Sequence, residues 1–98
     1  MSFQLIFRPE AEDDVDAAIA WYSSERRALA LAFVDNLDRL LLRIRDTPHQ
    51  FPEVAAGLRR ALMARFPYGV FFKLADSRLV VLAVLHLHRH PDTWRARK

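Results

Sequence analysis

The sequence predicts an α+β domain in which a helical hairpin covers one face of an antiparallel sheet. Three observations lead there. Two stretches with helical spacing, about 9–23 and 28–46, follow one another across Ser24-Glu25-Arg26-Arg27. Two apolar runs, Tyr68 to Leu74 and Leu79 to Leu87, are joined through Ala75-Asp76-Ser77-Arg78, the spacing of a tight β-hairpin. A third strand-like stretch, Arg59 to Arg65, precedes them, and a short one, Phe3 to Phe7, opens the chain. The order is therefore β-α-α-β-β-β: an N-terminal strand, an α-helical hairpin, then a three-stranded antiparallel sheet.

Each element has a local reason. Phe3-Gln4-Leu5-Ile6-Phe7 is rich in strand formers and is ended by Arg8-Pro9. Pro9 suits the first turn of a helix, where Glu10, Glu12, Asp13 and Asp14 place negative charge on the positive end of its dipole. Ala11, Val15, Ala18, Ile19 and Tyr22 form the apolar stripe of that helix, with Trp21 off its centre. In the second helix Leu29, Phe33, Leu37, Leu40, Leu41 and Ile44 form the stripe, and Asp35 and Arg39 are spaced for an i,i+4 pair. Ala30, Val34 and Leu42 widen the stripe beyond the needs of one neighbour, as in a helix that lends a face to a partner. Pro48 stops this helix, and 49–57 reads as a loop broken by Pro52 and Gly57. Alternation puts Tyr68, Val70, Phe72 and Leu74 on one face of the hairpin, and Gly69, Phe71 and Lys73 on the other. In the last strand Leu82, Val84, His86 and His88 share a face for as long as the strand stays regular.

The 98 residues form one domain, 1–98, with 52% apolar and 11% aromatic side chains. A chain of this size hides roughly 60–70% of its unfolded surface, enough for one modest core. The absence of cysteine excludes a disulfide framework and thiolate chemistry. Two glycines, Gly57 and Gly69, exclude a phosphate-binding glycine loop. The opening MSFQLIF meets Arg8-Pro9-Glu10 too soon for a signal peptide, and no apolar run nears the roughly 20 residues that span a bilayer. The expectation is a cytoplasmic protein with no membrane partner and no cofactor.

Charge is unevenly distributed. Residues 1–57 hold six basic and ten acidic side chains, a net of −4, whereas 58–98 hold nine basic and two acidic, a net of +7. Such polarity favours an anionic partner at the basic end: nucleic acid, an acidic protein surface or an acidic peptide. Arg59 and Arg60 open the sheet, Arg65 precedes its central turn, and His86, His88, Arg89 and His90 close it. His86 and His88 are candidates for general acid–base chemistry, and Arg60, Arg65 and Arg89 for holding a phosphate. The same residues equally suit polar strand ends that deter aggregation. A zinc site is not expected, because the histidine row lacks further ligands in fixed geometry.

These pieces together resemble a known family. Pro9-x-Ala11 with Asp14, Trp21-Tyr22, Pro48-x-x-Phe51-Pro52, Leu58-Arg59-Arg60, Phe66-Pro67-Tyr68, Val80 to Val84, His86 and Arg89-x-Pro91-x-x-Trp94 resemble, in order, the RelE/ParE toxins of bacterial type II toxin–antitoxin pairs. The resemblance is strongest to the ParE-like, plasmid-stabilisation branch. It implies the same β-α-α-β-β-β layout, and a growth-inhibiting toxin wrapped and neutralised by a cognate antitoxin. ParE-like members poison DNA gyrase, whereas RelE-like members cut messenger RNA in the ribosome with basic side chains on the sheet. Against the RelE-like pattern, an arginine position falls at Gly69, a lysine pair falls at Ala61 and Met63, and Arg89 matches a retained basic position. The implied activity is therefore gyrase poisoning rather than nuclease catalysis, so no catalytic residue is expected. The alternatives are a ribosome-dependent nuclease using Arg65, His86, His88 and Arg89, or a degenerate toxin that only binds its antitoxin. The residues expected to meet the target or antitoxin are Arg59, Arg60, Arg65, Val34, Leu42, Arg89 and Trp94.

Overall fold

The helical hairpin and the β-hairpin both form, and the segment between them holds one strand more than the sequence predicts. The computed structural model describes residues 3–98. Its elements are β1 (Gln4–Phe7), α1 (Pro9–Glu25), α2 (Arg27–Asp46), a 3-10 turn (Pro48–Gln50), β2 (Glu53–Ala55), β3 (Leu58–Leu62), β4 (Tyr68–Ala75), β5 (Arg78–His86) and a last 3-10 turn (Thr93–Ala96). The strands form one sheet in the order β1-β5-β4-β3-β2. β1 lies parallel to β5, and the other pairings are antiparallel. The sheet is thus mixed and five-stranded rather than a separate three-stranded antiparallel unit. A parallel pair needs a long connection, and here α1, α2 and strands β2 to β4 all lie between the two partners. β2 arises because Gly57, at φ +75°, turns the chain back sharply. Its amide donates to Glu53 Oε1 at 2.9 Å.

α1 starts on Pro9 with Glu10 and Glu12 in its first turn, and α2 carries Arg43 and Arg45 in its last. Both arrangements complement the helix dipole. Asp35 and Arg39 pair at 3.1 Å with both side chains largely exposed, so the pair adds little. Both helices pack on the same face of the sheet. There Ala11, Ala18, Phe33, Leu37, Leu40 and Ile44 meet Val70, Phe72, Leu79, Val81 and Val84. Tyr22, Phe33, Phe66 and Tyr68 form an aromatic knot within this core, with centroids as close as 5.0 Å.

The opposite, outer face carries a second cluster of Leu58, Phe71, Leu82, Ala83, Leu85 and Trp94. The Trp94 ring stacks on Phe71 with centroids 5.5 Å apart and planes 12° from parallel. Its indole N–H donates to the Pro91 carbonyl at 2.9 Å. Trp94, expected from the sequence to meet the target or antitoxin, is packed as core in the free chain, with 6% of its surface exposed.

β5 departs from regular alternation. Phe71 pairs with Ala83 but Phe72 with Val81, so Leu82 is an extra residue, a β-bulge. Leu82 and Ala83 both join the outer cluster, and Val84 returns to the helix side. Leu82 and Val84 therefore lie on opposite faces, against the expected shared one. β1 pairs only with Arg78 to Val81, which leaves the edge of β5 beyond the bulge without a strand partner. Asp14 of α1 fills that gap: its Oδ2 accepts the Val84 amide at 3.0 Å. Arg97 reaches the same carboxylate from the last turn, with Nη1 on Oδ2 and Nη2 on Oδ1 at 3.2 Å. The two side chains are only 12% and 20% exposed.

Removing one member of a buried, hydrogen-bonded ion pair is costly because it strands the other. Asp14→Ala should lower unfolding stability by about 3–5 kcal/mol, measured by urea denaturation. Arg97→Ala should cost less, since Asp14 keeps the Val84 amide. Two near-neutral variants would show that the tie contributes nothing.

Candidate functional site

The bulge and the Asp14 tie bring the last residues of β5 against α1, and a cleft of about 310 Å³ opens between them. Asp14, Trp21, Tyr68, His86, Arg89 and His90 are among the residues that line it. Trp21 sits two turns along α1 from Asp14, off the buried stripe, and is 51% exposed. Tyr68 and His86 are cross-strand partners at the end of the hairpin. Their rings meet edge to face at 5.3 Å. Past His86 the chain turns back, with the His90 amide on the His86 carbonyl at 2.9 Å.

That turn delivers Arg89 to the cleft. Its guanidinium carbon stands 4.7 Å from the centre of the Trp21 ring, a cation–π contact. Its Nη2 donates to the Tyr68 hydroxyl oxygen at 3.0 Å. The turn also fixes His86, whose Nδ1 accepts the amides of His88 at 3.2 Å and Arg89 at 3.1 Å. With the Nδ1 lone pair engaged, the neutral ring carries its proton on Nε2. Held this way, His86 donates a hydrogen bond but has no free lone pair with which to act as a base. Partial burial lowers the His86 pKa below its ordinary 6.5, and the charges of Arg89, His88 and His90 lower it further. Burial raises the Tyr68 pKa above its ordinary 10.0, against the opposing pull of Arg89. Both rings are thus neutral near pH 7.

The remaining residues proposed from the sequence are dispersed. His88 is exposed, its ring 5.8 Å from that of His86, and Arg65 is exposed in the β3–β4 turn. Among the described residues, no three His, Asp, Glu or Cys side chains gather as a metal site. Arg59 is turned inward, with Nη1 donating to the Phe51 carbonyl at 2.6 Å, and so braces the loop after α2. Arg60 lies on the outer face, its Nε buried without a hydrogen-bond partner. Val34 is half-buried, while Leu42 is 55% exposed and lines a shallow apolar depression with Leu5 and Leu41. Leu31 and Leu62, not singled out in the sequence, are 61% and 53% exposed.

The three positions that fall on the RelE-like basic cluster do not converge. Ala61 and Met63 are buried on the helix side. A Cβ at Gly69 would instead meet Leu87 Cδ2 at 3.0 Å and Phe71 Cε1 at 3.4 Å, on the outer face. Basic side chains at Ala61 or Met63 would point into the core.

The depressed pKa of His86 has a sign that can be checked. Folding favours the neutral ring, so its contribution to stability is complete above the ordinary 6.5 and is lost as pH falls through the folded value. In an NMR titration His86 should protonate below 6.5. Arg89→Gln should raise the midpoint only in part, because burial is the larger cause. A wild-type midpoint at or above 6.5 would contradict this environment.

Comparison with known proteins agrees with the architecture. The family model described as "ParE toxin of type II toxin-antitoxin system, parDE" matches residues 5–91. No curated protein matches the sequence. Among solved structures, a chain of the "Chromosomal ParDE TA system from P. aeruginosa" superimposes with a TM-score of 0.77 at 19% identity, covering 87% of this chain and 96% of that one. At that identity the structural likeness speaks for the fold, and the family follows from the sequence match. The chain belongs to the ParE toxin family of type II toxin–antitoxin systems.

Proposed function

We propose that this chain arrests growth by binding DNA gyrase, without cutting nucleic acid, and that a cognate antitoxin neutralises it by covering its surface. The observation that carries the reading is the family match, which spans nearly the whole chain. One structural feature agrees with it. Leu31, Leu42 and Leu62 are exposed around α2 and β3, and exposed apolar surface on a small domain marks contact sites. No helix among the described residues is long and apolar enough to cross a membrane.

The cluster of Tyr68, His86 and Arg89 is the feature that favours a nuclease. Its chemistry is incomplete for that task. Cleavage of RNA by its own 2′-hydroxyl needs a base for that proton and an acid for the leaving oxygen. His86 has its Nδ1 committed to two amides, and Tyr68 is held protonated by burial.

Induction of the chain alone should stop growth with DNA damage signalling, and co-expression of a cognate antitoxin should restore it. The purified protein should block gyrase supercoiling and leave ribosome-bound messenger RNA intact. Gly69→Arg should not create cleavage, because its side chain would only displace the Leu87 tip. Messenger RNA cut at defined positions, with cutting lost in His86→Ala or Arg89→Ala, would overturn the reading. Unimpaired growth and no effect on gyrase would reduce the chain to an antitoxin binder.

A further inference from the structure

The cleft at the end of β5 holds more hydrogen-bond donors than its own acceptors use. Arg89 gives Nη2 to Tyr68, and its other N–H groups have no acceptor among the described residues. The Tyr68 oxygen already accepts from Arg89, so its own proton is free to be donated. His86 has Nδ1 occupied and presents Nε2–H. Asp14, a carboxylate lining the cleft, is taken by Arg97 and the Val84 amide. What is left is a set of donors from three side chains beside the exposed face of Trp21.

We propose that this cleft receives a single carboxylate, an aspartate or glutamate side chain of a docking polypeptide, bound by Arg89, Tyr68 and His86 against the Trp21 ring. Arginine recognises a carboxylate through paired N–H groups, and these bonds are the strong, charge-assisted kind. Arg89 is already oriented by the Trp21 ring and the Tyr68 hydroxyl, so little side-chain freedom is lost when the anion arrives. A volume of about 310 Å³ suits one side chain rather than a folded segment.

The surroundings select an isolated charge over a polyanion. Ala17 and Trp21 line the cleft on one stripe of α1. The preceding turns of that stripe carry Asp13 and Glu10, both exposed. A nucleic-acid backbone lying along the helix would bring phosphates against them. One carboxylate entering over Trp21 avoids them.

The test uses the intact chain, labelled for NMR and free of any partner, so it is independent of whether gyrase is the target. N-acetyl-glutamate N-methylamide is titrated in, with its glutamine counterpart as the uncharged control and a short oligothymidylate as the polyanion. The glutamate probe should shift the Trp21 indole N–H and the His86 ring saturably, and the glutamine probe should not. Arg89→Gln should weaken binding about tenfold or more, the loss of one charge-assisted hydrogen bond. Tyr68→Phe, which keeps the packed ring, should weaken it less and serves if the first variant does not fold. Absence of saturable shifts, equal binding of the glutamine probe, undiminished binding by both variants, or displacement of the glutamate probe by oligothymidylate would each overturn the proposal.

Discussion

The fold turns on how one unpaired stretch of strand edge is satisfied. β5 is the central carrier of the core, yet β1 covers only its first residues, and a buried amide left without an acceptor costs about 1–3 kcal/mol. Asp14 answers this from the helix side and Arg97 clamps it from the C-terminal side. A single carboxylate therefore ties together the first helix, the bulged part of β5 and the last turn. Because the bulge at Leu82 switches the pleat, it also decides which residues beyond it face α1. Without it, Val84 and His86 would point to the outer face, and the cleft beside Trp21 would have no histidine wall.

This arrangement separates two kinds of surface. The helix-side core and the Trp94–Phe71 stack are closed by packing, while exposed apolar residues remain around α2 and β3. The cleft sets donors from Arg89, Tyr68 and His86 among largely apolar walls and is short of free acceptors. Its histidine and tyrosine are both held neutral, and the histidine has its Nδ1 lone pair committed, so the cleft offers donors rather than a base. A cation–π contact with Trp21 and a hydrogen bond to the Tyr68 hydroxyl orient the exposed Arg89 side chain.

Much of the architecture was legible in the sequence, because periodicity and breakers agreed along most of the chain. Pro9, Pro48 and the stripes of α1 and α2 set the helical hairpin. The short joint at Asp76-Ser77 set the β-hairpin, and Asp76 accepts the positive φ of 57° that this turn requires. The parallel placement of β1 was not legible, since four residues of strand carry no record of their neighbour. Nor was β2, whose three residues form a strand only because Gly57 folds them back on β3. Within the cleft, His86 and Arg89 stood out by type. Outside it, the packing of Trp94 on Phe71 was not legible, because the two residues lie far apart in the sequence. Asp14 had a readable signal. It shares the buried stripe of α1 with Ala11 and Ala18, and a carboxylate on such a stripe needs a partner. A bulge leaves no comparable mark, because Leu82 and Ala83 fit either face of an apolar strand.

The most direct test of this account is the hydrogen exchange of one amide. If Asp14 closes the open edge of β5, the Val84 N–H exchanges as slowly as amides within the sheet ladder. In Asp14→Ala its protection should fall far more than that of Val70, whose strand stays paired on both sides. A Val84 amide that exchanges freely in the wild type, or that keeps its protection in Asp14→Ala, would contradict the account.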